Sequence, residues 1–432
     1  MGREKKSENK TRNIIIGIDG VPYGLMKDLS DRGIMPNFSK LREDGIFKKM
    51  ESSIPEISSV AWSSIITGKN PGEHGIFGFT DLIEGTYSLS FPNFNSLKAQ
   101  AFWHTDDKKY VIINVPSTYP AHELNGFLVS GFISPTFEKA IYPSSYVERL
   151  KRMNYKIDVD AEKGHKSKML LLKELSEVLD QRMKLCDYFW SEFNWNVFMI
   201  VFTGTDRLEH FLWDAYENEK HEHHIDFLNF FKKIDKAMGK INEKMNEDDS
   251  LIILSDHGMG SIKSEVNINT CLVKEGFLKI DNDLKKRYNN IMEDTKAFAL
   301  DPARIYLNRE RNYPKGSVKE EDEDKIINQL VEIFDKLEKD GEKVIKRVYR
   351  KEEIYYGKYL DRAPDLILLS NPGFSLRGNI GKGEIFTKGI FSGMHTQDDA
   401  FLFVKNKKNK NLIPDNPKVS DIVGILNKLK TV

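Results

Sequence analysis

An aspartate and a histidine stand side by side at Asp256 and His257, directly after an apolar segment and before Gly258. A carboxylate oxygen and an imidazole nitrogen in one tight turn form a donor pair suited to zinc or manganese. The alternative is a turn aspartate beside a surface histidine, since both residue types are also common in loops. Of the short motifs in the chain, this pair indicates a metal site most specifically.

A second aspartate and histidine, Asp206 and His210, follow another apolar segment. If this stretch is helical, the two side chains lie one turn apart on the same face and can bind one cation together. His395 stands in the segment Gly393–Thr396, ahead of a further apolar segment. Alone, each of these residues is equally compatible with a structural role. They indicate a metal site only if the fold brings them together.

Two further motifs carry oxygen atoms. Asp19 ends the first apolar segment, at the kind of position where open α/β sheets bind their ligands, although an aspartate there often only forms a turn. Ser58 and Ser59 precede a helical stretch that ends at Gly68. Hydroxyls at such a position suit helix capping, and the free amides of a helix N-terminus bind anions.

Short apolar segments between these motifs predict buried parallel strands, because both faces of such strands are covered. Long segments of helical periodicity lie between them, including Lys166–Glu192 and Ile225–Met245, and a helix over Asp421–Leu429 closes the chain. This alternation predicts an α/β fold, a three-layer α/β/α sandwich with a mostly parallel central sheet. The predicted strands are Asn13–Ile18, Tyr110–Val115, Val197–Phe202, Leu251–Leu254 and Ala400–Val404, with weaker candidates at Gly126–Ser130 and Leu366–Leu369.

The segment 263–359 is richer in lysine and glutamate and includes a charged helical stretch over 320–339. We predict that it forms a cap subdomain inserted into a metal-binding catalytic core made of residues 13–262 and 360–432. Its charges are interpreted as a solvated helix face. The polar residues 1–12 are predicted to be a disordered tail without the apolar stretch of a secretory signal.

The amino-acid composition disfavours two classes of binding partner, nucleic acid polymers and membranes. The 65 basic and 65 acidic residues balance, so no net positive field favours binding to a nucleic acid polymer or to an anionic membrane. No segment has the roughly 20 consecutive apolar residues of a membrane span. Cys186 and Cys271 are far apart and lie outside any CxxC motif, which is typical of two buried thiols in a reducing compartment. These features predict a cytoplasmic protein.

Taken in order, the motifs resemble those of the type I phosphodiesterase/nucleotide pyrophosphatase branch of the alkaline phosphatase superfamily, and most of all its prokaryotic phosphohydrolase/phosphomutase-like members. That family combines a strand-end Asp, a Thr or Ser nucleophile ahead of a Thr-Gly, an Asp-x-x-x-His, an Asp-His-Gly and a late Gly-x-His. The resemblance covers nearly the whole chain, including Asn114-Val115-Pro116 and Ala363-Pro364-Asp365-Leu366. The matching positions are Asp19, Ser58, Asp206, His210, Asp256, His257 and His395.

The resemblance implies two divalent metal ions, zinc or alternatively manganese, and a phosphoserine intermediate on Ser58. It assigns one ion to Asp19, Ser58, Asp256 and His257, and the other to Asp206, His210 and His395. The backbone amide of Ser59 is the expected phosphoryl-binding donor. The expected substrate is a small-molecule phosphate ester, either a monoester or a diester and possibly a nucleotide.

Two positions depart from the family pattern. Ala61 stands where the eukaryotic nucleotide pyrophosphatases have an Asn, and its methyl group cannot donate to a phosphoryl oxygen. Diesterase specificity of that eukaryotic kind is therefore not implied. Ser58 replaces the more common Thr and keeps the hydroxyl. Because Ser59 is adjacent, either serine fits the position of the nucleophile.

Other activities remain open at this point. A phosphomutase would use the same serine and metals, and a metal-containing protein that binds a nucleotide or glycan without turnover would share the ligands. A sulfatase is disfavoured because Ser53-Ile54-Pro55-Glu56-Ile57 lacks the Arg of the sulfatase motif. Further interpretations concern residues outside the motifs. His221–His224 is interpreted as a solvent-exposed helix face and His74 as structural support. Trp62 and Tyr119 are interpreted as core aromatics, with a position beside the substrate as the alternative.

Overall fold

The computed structural model describes residues 12–281 and 287–429. The predicted tail lies outside these residues except for Arg12. The guanidinium of Arg12 forms an ion pair of 2.5 Å with Asp249 and lies over the ring of Trp195, 4.4 Å from its centre. No helix within the described ranges has both the length and the apolar character needed to cross a membrane.

An eight-stranded sheet forms the centre of the larger part of the molecule. Its first strand, Asn13–Ile18, is buried along its whole length and pairs in parallel with a strand on each side. Five adjacent strands are parallel, and strands at both edges are antiparallel. In spatial order the strands are Gly45–Met50, Ala400–Lys405, Ser250–Leu254, Asn13–Ile18, Val197–Phe202, Tyr110–Val115, Gly126–Ser130 and Ile141–Tyr142.

Helices cover both faces of this sheet, which confirms the predicted three-layer α/β sandwich. Alternate residues of the first strand point to opposite faces, so Ile14 and Ile16 pack into one apolar core and Ile15 into the other. One face is covered by Tyr23–Asp31, Pro36–Glu43, Val147–Arg152, Lys168–Glu192, Gly204–Glu217 and His224–Glu243. The opposite face is covered by Ser58–Thr67 and Ile422–Leu429.

Two of the predicted strands differ from the expectation. Ala400–Lys405 belongs to the central sheet but runs antiparallel to both of its neighbours. Leu366–Ser370, counted above with the core, pairs instead with two antiparallel strands of a second sheet. Apolar composition indicates burial but carries no information about strand direction or about which sheet a strand joins.

The second sheet and its neighbours have a hydrophobic core of their own. Helix Glu323–Asp335 packs on this sheet through Ile326, Leu330 and Phe334, while the charged positions between them face outward. The charged stretch 320–339 is therefore helical only in part, since Glu338–Lys339 forms a short hairpin strand. The strands of this region are Ala297–Leu300, Arg304–Leu307, Leu366–Ser370 and Ile345–Arg350 in one sheet, and Phe374–Arg377, Ser264–Asn267 and Phe386–Thr387 in another.

Gly17 of the central sheet lies close against Trp62 of helix Ser58–Thr67. A Cβ atom at this position would lie 2.4 Å from Cη2 of Trp62 and 2.9 Å from Cγ2 of Val201. We therefore expect Gly17→Ala to lower the free energy of unfolding by about 1–3 kcal/mol, because neither neighbour has room to move. Urea unfolding measures this change. Gly424→Ala is the control, because a Cβ added there would meet no described atom within 4 Å outside its own stretch of helix. Equal stability of the two variants would contradict the prediction.

Candidate metal centre

The carboxyl group of Asp19 lies at the end of the first strand and is fully buried. Its Oδ2 accepts a hydrogen bond of 3.0 Å from Nε1 of Trp62, and its backbone oxygen accepts one of 2.6 Å from the hydroxyl of Thr205. Trp62 stands one helical turn after Ser58, so the same helix carries the serine and the group that orients Asp19. These two hydrogen bonds fix the orientation of Asp19.

Helix Ser58–Thr67 begins immediately beside this carboxylate. The N-cap position is taken by Ile57, in extended conformation, so the Ser58 hydroxyl does not cap the helix. Instead its Oγ lies 3.1 Å from Nε2 of His257 and 3.4 Å from Oδ1 of Asp19. The amides of Ser58 and Ser59 donate to no acceptor in the described part of the chain, which leaves two N–H groups at a helix N-terminus. This arrangement can bind an anion beside a hydroxyl.

Asp206 and His210 lie on helix Gly204–Glu217, one turn apart as predicted. Oδ1 of Asp206 is 3.3 Å from Nε2 of His210 and 3.3 Å from Nε2 of His395. His395 arrives on the strand Gly393–Thr396, which pairs with Gly258–Ser261. This pairing brings the late histidine next to His257, and the two imidazole rings stack with centres 3.6 Å apart.

Asp256 and His257 follow the strand Ser250–Leu254 and are both fully buried. Oδ1 of Asp256 accepts a 3.0 Å hydrogen bond from the amide of Gly20, whereas Oδ2 has no partner among the described residues. Nε2 of His257 is 3.4 Å from that free oxygen and 3.8 Å from Oδ1 of Asp19. All seven residues matched by the family motifs thus lie close together, beside the carboxyl ends of the parallel strands.

The three histidines have the same hydrogen-bonding arrangement. Nδ1 of His210, His257 and His395 faces a backbone carbonyl oxygen at 2.8 to 3.0 Å, those of Gly393, Gly258 and Glu56 respectively. A carbonyl oxygen can only accept, so Nδ1 carries the proton of the neutral ring and Nε2 keeps its lone pair. This is the tautomer in which histidine binds metals through Nε2.

Donor atoms in this centre face each other without hydrogens between them. The Nε2 atoms of His210 and His395 are 2.9 Å apart, and both point their lone pairs into the same space. Oδ1 of Asp206 and Oδ2 of Asp256 are buried there without a hydrogen-bond donor in the described residues. Two overlapping groups of three residues have donor atoms within 4.8 Å of one another: Asp206, His257 and His395, and Asp19, Asp256 and His257. The residues present therefore fit divalent cations.

The protonation behaviour of the centre agrees with that chemistry. Burial, followed by the carboxylates of Asp256 and Asp206, raises the pKa of Asp19 well above its ordinary value. Burial likewise raises the pKa of Asp256 to about 7, despite the hydrogen bond from Gly20. Burial lowers the pKa of His257, which keeps the imidazole neutral. Carboxylates crowded in this way repel one another, and cations between them would relieve that repulsion.

Arg207 and aromatic side chains border the centre. The guanidinium of Arg207 pairs with Asp158 at 3.0 Å and with Asp206 at 3.3 Å, and it lies over the ring of Phe132. The ring of Phe391 lies beside His210, with centres 5.2 Å apart. These neighbours limit the movement of Asp206 and His210. Arg207 follows Asp206 in the sequence, but only the fold shows that its charge stays at the site.

Some residues singled out in the sequence lie elsewhere. His74 is fully buried, 3.0 Å from the Ser64 hydroxyl, which agrees with structural support. The segment 221–224 is not the exposed face predicted, because His223 and His224 are buried and contact Asp226 and the carbonyl of Ala215. Both cysteines are buried and free, as expected for ordinary thiols.

Two residues near the centre were not recognised from the sequence as part of it. Trp62 was interpreted as core packing, with a position beside the substrate as the alternative, but its contact with Asp19 was not predicted. Its spacing from Ser58 indicates the same helix face and could have suggested that contact. Glu209 lies within the motif that contains Asp206 and His210, and its side chain is completely buried. A glutamate on a surface-type helix carries no sequence signal of burial.

Comparisons with known proteins point in one direction. Residues 13–398 match the family model described as type I phosphodiesterase / nucleotide pyrophosphatase. Among solved structures, the phosphonoacetate hydrolase of Sinorhizobium meliloti 1021 in complex with phosphonoacetate has a TM-score of 0.65 at 14% identity, covering 98% of this chain and 95% of that chain. Murine ectonucleotide pyrophosphatase / phosphodiesterase 5 has a TM-score of 0.55 at 13% identity, with the same coverage of 98% and 95%. No curated protein matches the chain significantly in sequence.

Proposed function

Since the chain belongs to the type I phosphodiesterase/nucleotide pyrophosphatase family of the alkaline phosphatase superfamily, we propose that it hydrolyses a small-molecule phosphate ester through a phosphoserine on Ser58. The family places the chain among the phosphoric ester hydrolases. One observation carries the finer proposal: the Ser58 hydroxyl lies at a helix N-terminus with free amides, 3.1 Å from a neutral histidine of the donor cluster.

Two divalent cations would be held by the seven residues. We assign Asp19, Ser58, Asp256 and His257 to one cation, and Asp206, His210 and His395 to the other. Zinc suits this mixture of carboxylate and imidazole donors, and manganese is the alternative. When bound, such cations stabilise negative charge on the serine oxygen and on the phosphoryl group.

Ser58 is the nucleophile in this proposal. Its oxygen attacks phosphorus as the hydroxyl proton passes to solvent, the bond from phosphorus to the ester oxygen breaks, the leaving alcohol takes up a proton from solvent, and phosphoserine forms. Water then attacks phosphorus and loses a proton to solvent, the bond to the Ser58 oxygen breaks, and that oxygen takes up a proton. Phosphate leaves if the substrate is a monoester, and a phosphate monoester leaves if it is a diester. Bound cations would favour ionisation of the hydroxyl, so the proposal requires no separate histidine base.

The amide of Ser59 binds a phosphoryl oxygen in both steps. It is the second N–H of the helix and has no acceptor in the described residues. A helix N-terminus favours negative charge, and a fixed amide needs no reorganisation as charge develops on the phosphoryl oxygens. Ala61, two residues after Ser59, supplies no further side-chain donor. Substrate binding through Ser59 accounts for one phosphoryl oxygen and leaves the choice of alcohol to other residues.

A substrate screen tests the proposal. Protein loaded with zinc or manganese should release p-nitrophenol from p-nitrophenyl phosphate or from its diester analogue. A chelator should abolish this activity, and added metal should restore it. Nucleotides and phosphonates extend the panel, and isomerisation of phosphosugars or phosphoglycerate is measured in parallel, since a mutase transfers the phosphoryl group instead of releasing it. Metal-loaded protein that hydrolyses none of these compounds would contradict the proposal. The cytoplasmic location stays a prediction.

A further inference from the structure

Arg207 is a positively charged side chain at the metal centre for which the proposed reaction has no role. Its Nη1 lies 3.3 Å from Oδ2 of Asp206, whereas Oδ1 of the same carboxylate faces His210 and His395. Among the ion pairs of the described residues, this is the one that joins a lysine or arginine to a proposed metal ligand. A single carboxylate therefore separates the guanidinium from the cluster of donor atoms.

The guanidinium keeps hydrogen-bond donors that the described part of the protein does not use. A guanidinium has five N–H groups, one on Nε and two on each Nη. In Arg207, Nη1 donates to Asp206 at 3.3 Å and Nη2 donates to Asp158 at 3.0 Å, and Nε is buried without a partner among the described residues. Each Nη atom thus retains one N–H. Paired N–H donors of this kind suit the oxygens of a phosphoryl group.

The metal centre is open to solvent on the side of Arg207. The side chains of Arg207, His210 and His395 are 22%, 19% and 15% exposed. Those of Asp256 and His257 are 0% exposed, so the opposite side of the centre is closed. A substrate that reaches the serine hydroxyl therefore enters past the guanidinium.

A line of aromatic contacts also connects Arg207 to the start of helix Ser58–Thr67. The guanidinium carbon lies 4.9 Å from the centre of the Phe132 ring, and this ring lies 5.8 Å from that of Phe79. Phe79 packs against an apolar cluster that includes Ile57, the N-cap residue of the helix. Arg207 thus borders the space between the donor cluster and the free amides of the helix N-terminus, where the phosphoryl group of a substrate would lie.

From these contacts we propose that Arg207 is a substrate-binding residue that donates to a phosphoryl oxygen and raises the preference of the enzyme for phosphate monoesters over diesters. The proposal rests on the proposed function. The Ser59 amide binds one phosphoryl oxygen and Ala61 offers no side-chain donor, so Arg207 supplies the next donor. A monoester near neutral pH carries roughly one more negative charge than a diester, and a fixed positive charge stabilises it more strongly.

Substitution of the guanidinium tests this preference. The two substrates are p-nitrophenyl phosphate and methyl p-nitrophenyl phosphate, which share a leaving group and differ by one methyl group and one charge. In Arg207→Gln, kcat/KM for the monoester should fall at least about tenfold more than kcat/KM for the diester. Where one ester is not turned over, its Ki as a competitive inhibitor replaces kcat/KM. The zinc content should stay near that of wild type, because all seven proposed ligands are intact.

Two further variants make the test specific. Arg207→Lys keeps the charge without the paired donors, so its preference should lie between those of wild type and Arg207→Gln. Arg149→Gln removes a guanidinium that lies over the ring of Tyr188, 4.2 Å from its centre, and it should leave the preference unchanged. Equal losses for both esters in Arg207→Gln, with or without loss of zinc, would show that Arg207 only orients Asp206. That result, or unchanged kinetics, would overturn this proposal alone. Wild-type protein that neither hydrolyses nor binds these esters would contradict the proposed function as well.

Discussion

Ser58→Ala is expected to reduce kcat for an aryl phosphate by at least about 10³-fold while the metal content stays near that of wild type. The hydroxyl is the nucleophile of the proposed reaction, and no other residue can form the same bond from its position. The remaining six proposed ligands still hold the cations, because Ser58 contributes one oxygen among several donors. Steady-state kinetics and elemental analysis of the same preparation measure both effects.

Neighbouring serines provide the controls for this result. Ser63→Ala removes a hydroxyl that donates to the Ser59 carbonyl within the same helix, and it should retain wild-type turnover. Ser59→Ala tests the register, because its hydroxyl is also buried and has no partner in the described residues. Loss of turnover in Ser59→Ala with activity retained in Ser58→Ala would move the nucleophile by one residue. Native activity of Ser58→Ala with Ser59 intact would end the phosphoserine proposal.

The sequence was sufficient to predict the layers and most strands of the fold. Asn13–Ile18 and Val197–Phe202 are buried on both faces, and such strands are apolar throughout, which makes them easy to recognise. Strand direction was not predictable for Ala400–Lys405, since an antiparallel strand near the sheet edge can be equally apolar. The partner of Leu366–Ser370 depended on contacts with segments far away in the sequence.

The metal centre, like the fold, was predictable from the sequence only in part. Asp256 and His257 were recognisable because strand-end donors next to a glycine have a distinct local pattern. Their geometry required tertiary structure: the pairing of Met259 with His395 brings the late histidine into place. The carbonyl oxygens that set the histidine tautomers come from loop backbone, which side-chain motifs do not describe. Burial of Glu209 was not predictable either, because a glutamate on a helix is usually exposed.

The second large expected effect is the loss of one metal ion when a proposed ligand is substituted. It follows from the division of the donor residues between two cations. His210→Ala removes an Nε2 donor that lies 3.3 Å from Asp206 and 2.9 Å from His395, so the cation assigned to these residues should be lost. Asp256→Asn removes the charge of a buried carboxylate whose Oδ2 is free, so the other cation should be lost. Wild type should bind about two equivalents of metal and each variant about one, with turnover reduced at least about 10²-fold in both.

Elemental analysis after gel filtration measures these stoichiometries, and His104→Ala is the matched control. The His104 imidazole contacts the carbonyl oxygen of Glu123 and is not one of the proposed donors, so its loss should leave the metal content unchanged. Combining the two substitutions should remove both metals, because the donor sets differ although His257 lies close to members of each. Unchanged stoichiometry in both single variants would refute the partition. Loss of both metals in either single variant would instead show that the cations bind as one cooperative unit, since removal of one then leaves the crowded carboxylates too repulsive to keep the other.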